Sequence, residues 1–225
     1  WVDVDYWQVE ALAGDLISIS VDTPESGVRP YLELRNAADG VLVGEYDGGP
    51  EQDAFISRYG VGTSGRYYIR VGSWTATPGS YELRVELARG VQLEADGQYA
   101  NDAIGGANGL TLTTAGVHRV ATGAGTVMGA EGGNLDEDHF ALGVLNTGNE
   151  VELTVRRPST STLDPKVTLL TSAGVAVFDA DGNAADGHVG ATIAADGAYY
   201  ARVEATGGAG PQGQYLLDVD VADLV

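Results

Sequence analysis

The sequence predicts an all-β protein built from two tandem antiparallel β-sandwich domains. Three observations support this fold class: many glycine turns between short apolar runs, an alternation of apolar and polar residues within those runs, and an internal repeat that covers most of the chain. No stretch carries the i, i+3, i+4, i+7 apolar pattern of a confident amphipathic helix.

Tight turns are the first observation. The 225 residues include 33 glycines, and Asp-Gly, Asn-Gly and Gly-Gly pairs recur between short runs of Val, Leu, Ile and Tyr. Such pairs adopt positive φ at little cost and therefore close hairpins. Closely spaced hairpins predict many short strands.

Alternation within the runs is the second observation, because a strand with one buried and one wet face repeats every two residues. The first core is predicted to contain Ile17, Ile19, Val21, Tyr67, Ile69, Val71, Tyr81, Leu83, Val85 and Leu87. The second core is predicted to contain Phe140, Leu142, Val144, Val151, Leu153, Val155, Tyr215, Leu217, Val219 and Val221. Two sheets that pack through such faces form a sandwich.

The internal repeat is the third observation. GRYYIRV at 65–71 matches GAYYARV at 197–203, and GSYELRVEL at 79–87 matches GQYLLDVDV at 213–221. Nearer the start of each half, Asp5, Trp7 and Gly14 match Asp138, Phe140 and Gly148. The spacing is far longer than a solenoid repeat, so each half is a complete folding unit. We expect domains at residues 1–92 and 93–225.

Composition excludes several classes of function. There are 32 acidic and 12 basic residues, which give a formal net charge of −20, and nucleic acid would be repelled by this charge. The absence of cysteine removes disulfides and thiolate sites, so bound calcium would be the natural substitute for a covalent staple. No apolar run approaches the roughly 20 residues of a membrane-spanning helix.

The repeated motifs resemble those of the bacterial pre-peptidase C-terminal domain, a jelly-roll-like module related to the collagen-binding domain of clostridial collagenases. The resemblance covers nearly the whole chain. It rests on motifs that occur in a fixed order: Asn101 and Asp102; Asp3, Asp5, Tyr6 and Trp7; Gly14; Leu32, Leu34 and Gly40; Gly65, Tyr67 and Tyr68; Gly79 and Tyr81. It implies two jelly-roll-like, non-catalytic modules of an exported bacterial protein.

The resemblance also implies a calcium site, since the start of the related collagen-binding modules and their Asp-x-Asp loop together hold calcium. Carried over to this chain, the ligands are Asn101, Asp102, Asp136 and Asp138. Gly97 and Tyr99 stand where glutamates are expected, which leaves Glu94 and Asp96 as substitutes. The alternative interpretation is an ordinary solvated turn.

The first domain is shorter at its start, because Asp3 and Asp5 have no counterpart of the Asn-Asp segment before them. It therefore apparently lacks its opening strands, which would expose unpaired backbone and an open core. Three explanations compete: further residues upstream, a shorter variant of the module, or strands donated by a neighbouring chain.

The stretch DADGNAADG at 179–187 resembles a calcium-binding loop. The helix-loop-helix version requires a glutamate at its twelfth position, where this chain has Gly190. A simple loop is the preferred interpretation.

Surface tyrosines form a second candidate site. Alternation places Tyr68 with Arg70, and Tyr200 with Arg202, opposite the core tyrosines. A tyrosine beside an arginine stacks on sugar rings or peptides and donates hydrogen bonds, and Tyr31 would extend the first patch. The alternative is ordinary cross-strand pairing.

No catalytic motif is found: the sequence has no nucleophile elbow, no His-Glu-x-x-His, no phosphate-binding loop and no Cys-His pair. His118, His139 and His188 lie in separate segments without metal-ligand spacing. We therefore expect a non-enzymatic, extracellular or cell-surface accessory region that binds a polysaccharide, a protein or copies of itself. Two alternatives remain open, a fibre subunit assembled by strand exchange and the tail of a secreted peptidase.

Overall fold

The computed structural model describes residues 3–23, 26–49, 53–75, 77–130, 134–183 and 185–223. Strands dominate these residues, and the helical content among them is a single 3-10 turn at Ile104–Gly106. The predicted all-β class is confirmed. No helix in the described part of the chain is long and apolar enough to cross a membrane.

The chain divides into two compact units. One contains the residues up to Gly90 together with Asp96–Gln98, and the other contains Val91–Ala95 and the residues from Tyr99 onward. The expected single boundary after residue 92 is thus spread over residues 90–99. Asp96–Gln98 joins the first unit because the Asp96 N–H donates to Ser57 Oγ (2.8 Å) and the Gln98 N–H donates to the Gly48 carbonyl (3.2 Å).

The first unit has two antiparallel sheets. Its strands are β1 (Asp5–Ala11), β2 (Leu16–Asp22), β3 (Pro30–Arg35), β4 (Val41–Glu45), β5 (Ala54–Gly60), β6 (Gly65–Ser73) and β7 (Glu82–Ala88). One sheet has the order β1-β6-β3-β4 and the other the order β5-β2-β7. Both contribute to one core of buried apolar residues, as in a sandwich.

The second unit repeats this arrangement and adds strands at one side. Its strands are β8 (Gln92–Leu93), β9 (Asn108–Gly109), β10 (Thr113–Ala115), β11 (His118–Thr126), β12 (Glu137–Leu145), β13 (Glu150–Arg156), β14 (Asp164–Thr171), β15 (His188–Thr192), β16 (Gly197–Gly207) and β17 (Gln214–Ala222). One sheet has the order β14-β16-β12-β9, and the other the order β10-β11-β17-β13-β15 with β8 paired to β11. Strands β8 to β11 have no counterpart among the described residues of the first unit.

Equivalent contacts recur in the two units. Gly14 and Gly148 have φ of 94° and 90°, a region that favours glycine, and their N–H groups donate to Val61 and Ile193 carbonyls at 2.8 Å in each case. These two glycines therefore make the same turn before the second strand of each sandwich.

Most predicted core residues are buried, and the exceptions have local causes. Val144 is exposed, because a register shift between Ala141 and Gly143 reverses the alternation of β12 and buries Leu145 in its place. Val85 and Leu87 are also exposed, because β7 lacks the strand that covers the matching β17 in the second unit. For these three residues the predicted burial is wrong.

Candidate metal centre in the second unit

The segments that carry the four predicted metal ligands meet where β12 begins, and carboxylate oxygens of Asp136 and Asp138 lie within 4.8 Å of each other. Asp136 lies just before this strand and Asp138 within it, while Asn101 and Asp102 lie in the turn that precedes the 3-10 helix. Two backbone contacts join the segments: the His139 N–H donates to the Asn101 carbonyl (3.1 Å), and the Glu137 N–H donates to Asp102 Oδ1 (3.4 Å). The fold thus brings together residues more than 30 positions apart in the chain.

Asp138 is the centre of this cluster. Its Oδ1 accepts a hydrogen bond from Asn101 Nδ2 (3.0 Å), and its Oδ2 accepts one from the Tyr215 hydroxyl (2.7 Å). The same hydroxyl lies 3.3 Å from Oε2 of Glu94, whose Oε1 accepts from the Thr126 N–H (2.7 Å). Glu94 therefore joins the cluster through Tyr215.

The other two acidic residues are held by neighbouring loops. Asp136 is buried and accepts a hydrogen bond from the Met128 N–H. Asp102 is half-buried and accepts a hydrogen bond from Asn134 Nδ2. Both carboxylates are therefore held by hydrogen bonds, Asp136 by Met128 and Asp102 by Asn134.

The carboxylates of this cluster are unusual because they are removed from water. Glu94, Asp136 and Asp138 are each at most 3% exposed. Burial raises the pKa of Asp138 to about 6, while hydrogen bonds with Glu94, Tyr215 and Asn101 oppose the rise. Burial and the nearby carboxylates also raise the pKa of Tyr215 well above its usual value. Among the described residues no lysine or arginine forms an ion pair with Asp138.

These residues fit a hard cation. Carboxylate and amide oxygens are the donors that calcium prefers, and several of them converge here in a buried place. Asp136 and Asp138 would supply such oxygens, with Asn101 and Glu94 beside them, whereas the carboxylate of Asp102 is not within 4.8 Å of both aspartates. A bound cation would also offset the cost of burying several carboxylates together.

The first unit holds an incomplete counterpart. The Tyr81 hydroxyl donates to Asp5 Oδ2 (2.8 Å), as Tyr215 does to Asp138. Asp3 and Asp5 are exposed, and they line a cavity of about 140 Å³ together with Tyr81 and residues near the end of β6. No segment of this unit's described residues supplies the partners that Glu94, Asn101 and Asp102 provide in the second unit.

The predicted tyrosine-arginine pairs lie on the outer faces of their sheets, but their arginines are engaged. Arg70 contacts Glu33 Oε2 (3.3 Å) and lies over the ring of Tyr31 at 5.7 Å. Arg202 contacts Glu204 Oε2 (2.6 Å). Tyr68 and Tyr200 are half-buried beside them. The arginines therefore stabilise the sheets and offer less to a ligand than the sequence predicts.

A more exposed aromatic cluster lies beside the first pair. The ring of Trp74 packs edge-on against Tyr31 (5.0 Å between centroids) and Tyr46 (5.5 Å), and Trp74 is 62% exposed. Tyr31 is predictable from the alternation within its strand, whereas Tyr46 and Trp74 lie in turns where alternation gives no signal. We call Tyr31, Tyr46 and Trp74 the aromatic patch.

The three histidines lie on three separate strands. His118 contacts Asp220 (2.7 Å), His188 contacts Glu152 (2.8 Å), and buried His139 lies 3.1 Å from the Asn101 carbonyl. The described residues thus bring no two histidines into one site.

Comparisons with known proteins do not identify a family for this chain. No protein-family model matches the chain, and no curated protein matches its sequence. A solved structure, the periplasmic inhibitor of g-type lysozyme PliG from Aeromonas hydrophila, is similar with 17% identity and a TM-score of 0.35. The match covers 51% of this chain and 95% of that one.

Proposed function

We propose that the chain is a non-catalytic accessory region of an exported bacterial protein, made of two pre-peptidase-like modules, of which the second is stabilised by calcium. One observation carries the proposal: Asp136 and Asp138 are buried with Asn101 at positions that the family resemblance selects, and buried Glu94 is joined to Asp138 through Tyr215.

Calcium accounts for an arrangement that is costly by itself. Charged groups are rarely buried unless they are paired or bind a metal, because desolvation disfavours the ionised form. The raised pKa of Asp138 is the expression of this cost in the absence of a cation. Extracellular modules bind calcium with Kd values of roughly 10⁻⁴ to 10⁻³ M, which suits the medium outside a cell.

Thermal unfolding with and without calcium tests this proposal. At a calcium concentration of about 100 times Kd, binding to the folded state adds about 2.7 kcal/mol, which corresponds to a rise in Tm of roughly 5–10 °C. Asp138→Asn is expected to lose most of this rise. Without calcium the same variant should be no less stable than the original chain, because it removes a buried charge but keeps the size of the side chain.

Asp223→Asn is the matched control, since Asp223 is exposed in the same unit. It should keep the full calcium-dependent rise in Tm. An equal rise in Asp138→Asn and in the control, or no rise at 10 mM calcium in the original chain, would contradict the proposed site.

Attachment is the second part of this proposal. The expected partner is an extracellular polymer, either a polysaccharide or a protein, and the aromatic patch on the first unit supports this expectation. The net charge of −20 argues against nucleic acid as the partner.

A second candidate function is assembly by strand exchange, and the open side of the first unit favours it. Trp7 of β1 is 51% exposed, whereas the matching Phe140 of β12 is 1% exposed. Val85 of β7 is 36% exposed, whereas the matching Val219 of β17 is 2% exposed. A groove of about 400 Å³ lies between these two edges and is lined by Trp7, Gln8, Ile69, Tyr81, Leu83 and Val85.

The second unit indicates what would fill this groove. There β11 pairs antiparallel with β17 and places Ala121, Gly123 and Gly125 opposite Val219, Leu217 and Tyr215. The glycines are needed because a Cβ at Gly123 would lie 3.3 Å from Phe140, and one at Gly125 would overlap Tyr215. The expected occupant is therefore a strand of another polypeptide with small residues at alternate positions, added antiparallel to β7.

A synthetic peptide of residues 117–127 tests strand acceptance. Its addition should shift the indole N–H signal of Trp7, which donates to the Tyr81 hydroxyl at 3.1 Å, and leave that of Trp74 unchanged. We expect a Kd below roughly 1 mM, about 4 kcal/mol of binding free energy. The control peptide carries Gly123→Leu and Gly125→Leu, which should abolish binding by steric overlap.

Light scattering over a range of chain concentrations separates the sources of the strand. Growth of oligomers with concentration supports exchange between copies, whereas a monomer at every concentration assigns the groove to a different polypeptide. Failure of the peptide to bind would remove this second candidate function.

A further inference from the structure

We propose that Asp179, Asp181 and Asp186, in the loop before β15, form a second calcium site, separate from the centre near β12. The loop leads into β15, the edge strand next to β13. Carboxylate oxygens of Asp179, Asp181 and Asp186 all lie within 4.8 Å of one another. Three acidic side chains at this spacing match the distance between oxygens that share one cation.

The decisive observation is a buried oxygen of Asp179. This residue is 5% exposed, and its Oδ1 accepts hydrogen bonds from the N–H groups of Gly190 (3.2 Å) and Asp181 (3.4 Å). Its Oδ2 is buried as well, yet it has no hydrogen-bond donor among the described residues. Buried carboxylate oxygens are almost always satisfied, so an oxygen without a donor, on a carboxylate that lies within 4.8 Å of two others, indicates a missing positive charge.

The remaining contacts hold the loop in place without neutralising it. Asn183 donates through its N–H to Asp181 Oδ1 (2.7 Å) and through Nδ2 to Asp186 Oδ2 (2.7 Å). The His188 N–H donates to Asp186 Oδ1 (3.0 Å). These are neutral donors, and the one basic side chain that approaches the three aspartates in the described part of the chain is the imidazole of His188, whose Nδ1 lies 3.8 Å from Asp181 Oδ2.

Calcium fits this loop better than magnesium does. Calcium accepts irregular sets of six to eight oxygens, whereas magnesium demands a near-ideal octahedron and keeps much of its water. Here the oxygens come from three aspartates within eight residues, and Gly182, with a φ of 76°, allows the tight turn between them. The side chain of Asn183 adds an amide oxygen to the same short segment.

Gly190 at the twelfth position favours a simple loop over a helix-loop-helix calcium site when only the sequence is considered. The structure gives that role to another residue: Asp186, at the eighth position, folds back toward Asp179 and Asp181. Gly190 instead belongs to β15, where its N–H supports Asp179. The site therefore does not depend on the helix-loop-helix spacing.

Calorimetric titration of the calcium-free chain with calcium chloride measures the number of ions bound. We expect the stoichiometry to fall by one ion per chain in Asp181→Asn and in Asp186→Asn, with Kd at this site raised at least about tenfold. Asp181 is exposed and Asp186 is half-buried, so these variants should fold even if Asp179→Asn does not. Asp223→Asn is the charge-matched control and should bind as the original chain does.

Amide signals in nuclear magnetic resonance locate the ion. Millimolar calcium should shift the Asp181 and Gly190 signals of the original chain, and it should still shift them in Asp138→Asn, where the other centre is disabled. This result separates the two sites, because the loop would respond even if the proposed function failed. Unmoved signals, an unchanged stoichiometry in both loop variants, or equal shifts with magnesium would overturn the proposal.

Discussion

Two tyrosine hydroxyls make equivalent hydrogen bonds in the two units. The Tyr67 hydroxyl donates to the Thr63 carbonyl (2.6 Å), and the Tyr199 hydroxyl donates to the Ala195 carbonyl (2.7 Å). A buried hydrogen bond of this kind contributes about 1 kcal/mol to stability and fixes the loop before the strand. The repeat is thus maintained by side-chain contacts as well as by apolar alternation.

Asp53 gives a prediction at the same scale. Burial, followed by the nearby carboxyl of Asp22, raises the pKa of Asp53 to about 7, although Thr23 Oγ1 donates to it at 2.7 Å. Because the pKa in the unfolded chain is near 3.9, the folded state binds the proton more tightly, and stability should fall as pH rises from about 4 to 7. Asp53→Asn should therefore stabilise the chain at pH 8 by about 1 kcal/mol after allowance for solvent screening, and change little at pH 5.

Urea unfolding at pH 5 and pH 8 measures this difference. The control is Asp47→Asn, which removes one exposed charge from the same unit. If Asp53→Asn gained no stability at pH 8 relative to pH 5, the raised pKa would be refuted.

Strands differ in how much of their position the sequence can predict. Those rich in Val, Ile, Leu and Tyr were predicted together with their buried faces, because β-branched and aromatic residues alternate in them. Strand β11, with the sequence HRVATGAGT, carries almost no such signal. Its glycines are explained only by Tyr215 and Phe140 on other strands, which is information that the local sequence does not contain.

The sheet β1-β6-β3-β4 presents the aromatic patch, and this surface gives a second prediction. Trp74→Ala should reduce adsorption to insoluble polysaccharide or to collagen fibrils about tenfold, since exposed aromatic rings contribute about 1–2 kcal/mol each to such contacts. The Tm should stay nearly unchanged because Trp74 is largely exposed. Tyr68→Ala is expected to have a smaller effect, as Tyr68 is half-buried.

Tyr6→Ala serves as the control for adsorption, because Tyr6 is an exposed aromatic residue outside the patch. Equal losses of adsorption in Trp74→Ala and Tyr6→Ala would indicate non-specific adsorption. Unchanged adsorption in both variants would exclude the aromatic patch as a binding surface.

At the scale of the whole molecule, the repeat made the fold class predictable and pointed to part of the acidic cluster near β12. Asn101 and Asp138 follow from motif positions, but the inclusion of Glu94 depends on Tyr215, which the sequence marks only as a core residue. The burial of Asp179 was unpredictable for a similar reason, since it depends on contact with β15. Tertiary contacts, not local patterns, decide these cases.

The charges along β7 determine which chains can join its bare edge. If two identical edges met head to tail about Arg84, Glu82 of one would face Glu86 of the other, and the two Arg84 side chains would face each other. In this register every such pair brings like charges together, which disfavours it. A strand that carries uncharged residues at those places can join the edge of β7 without this repulsion.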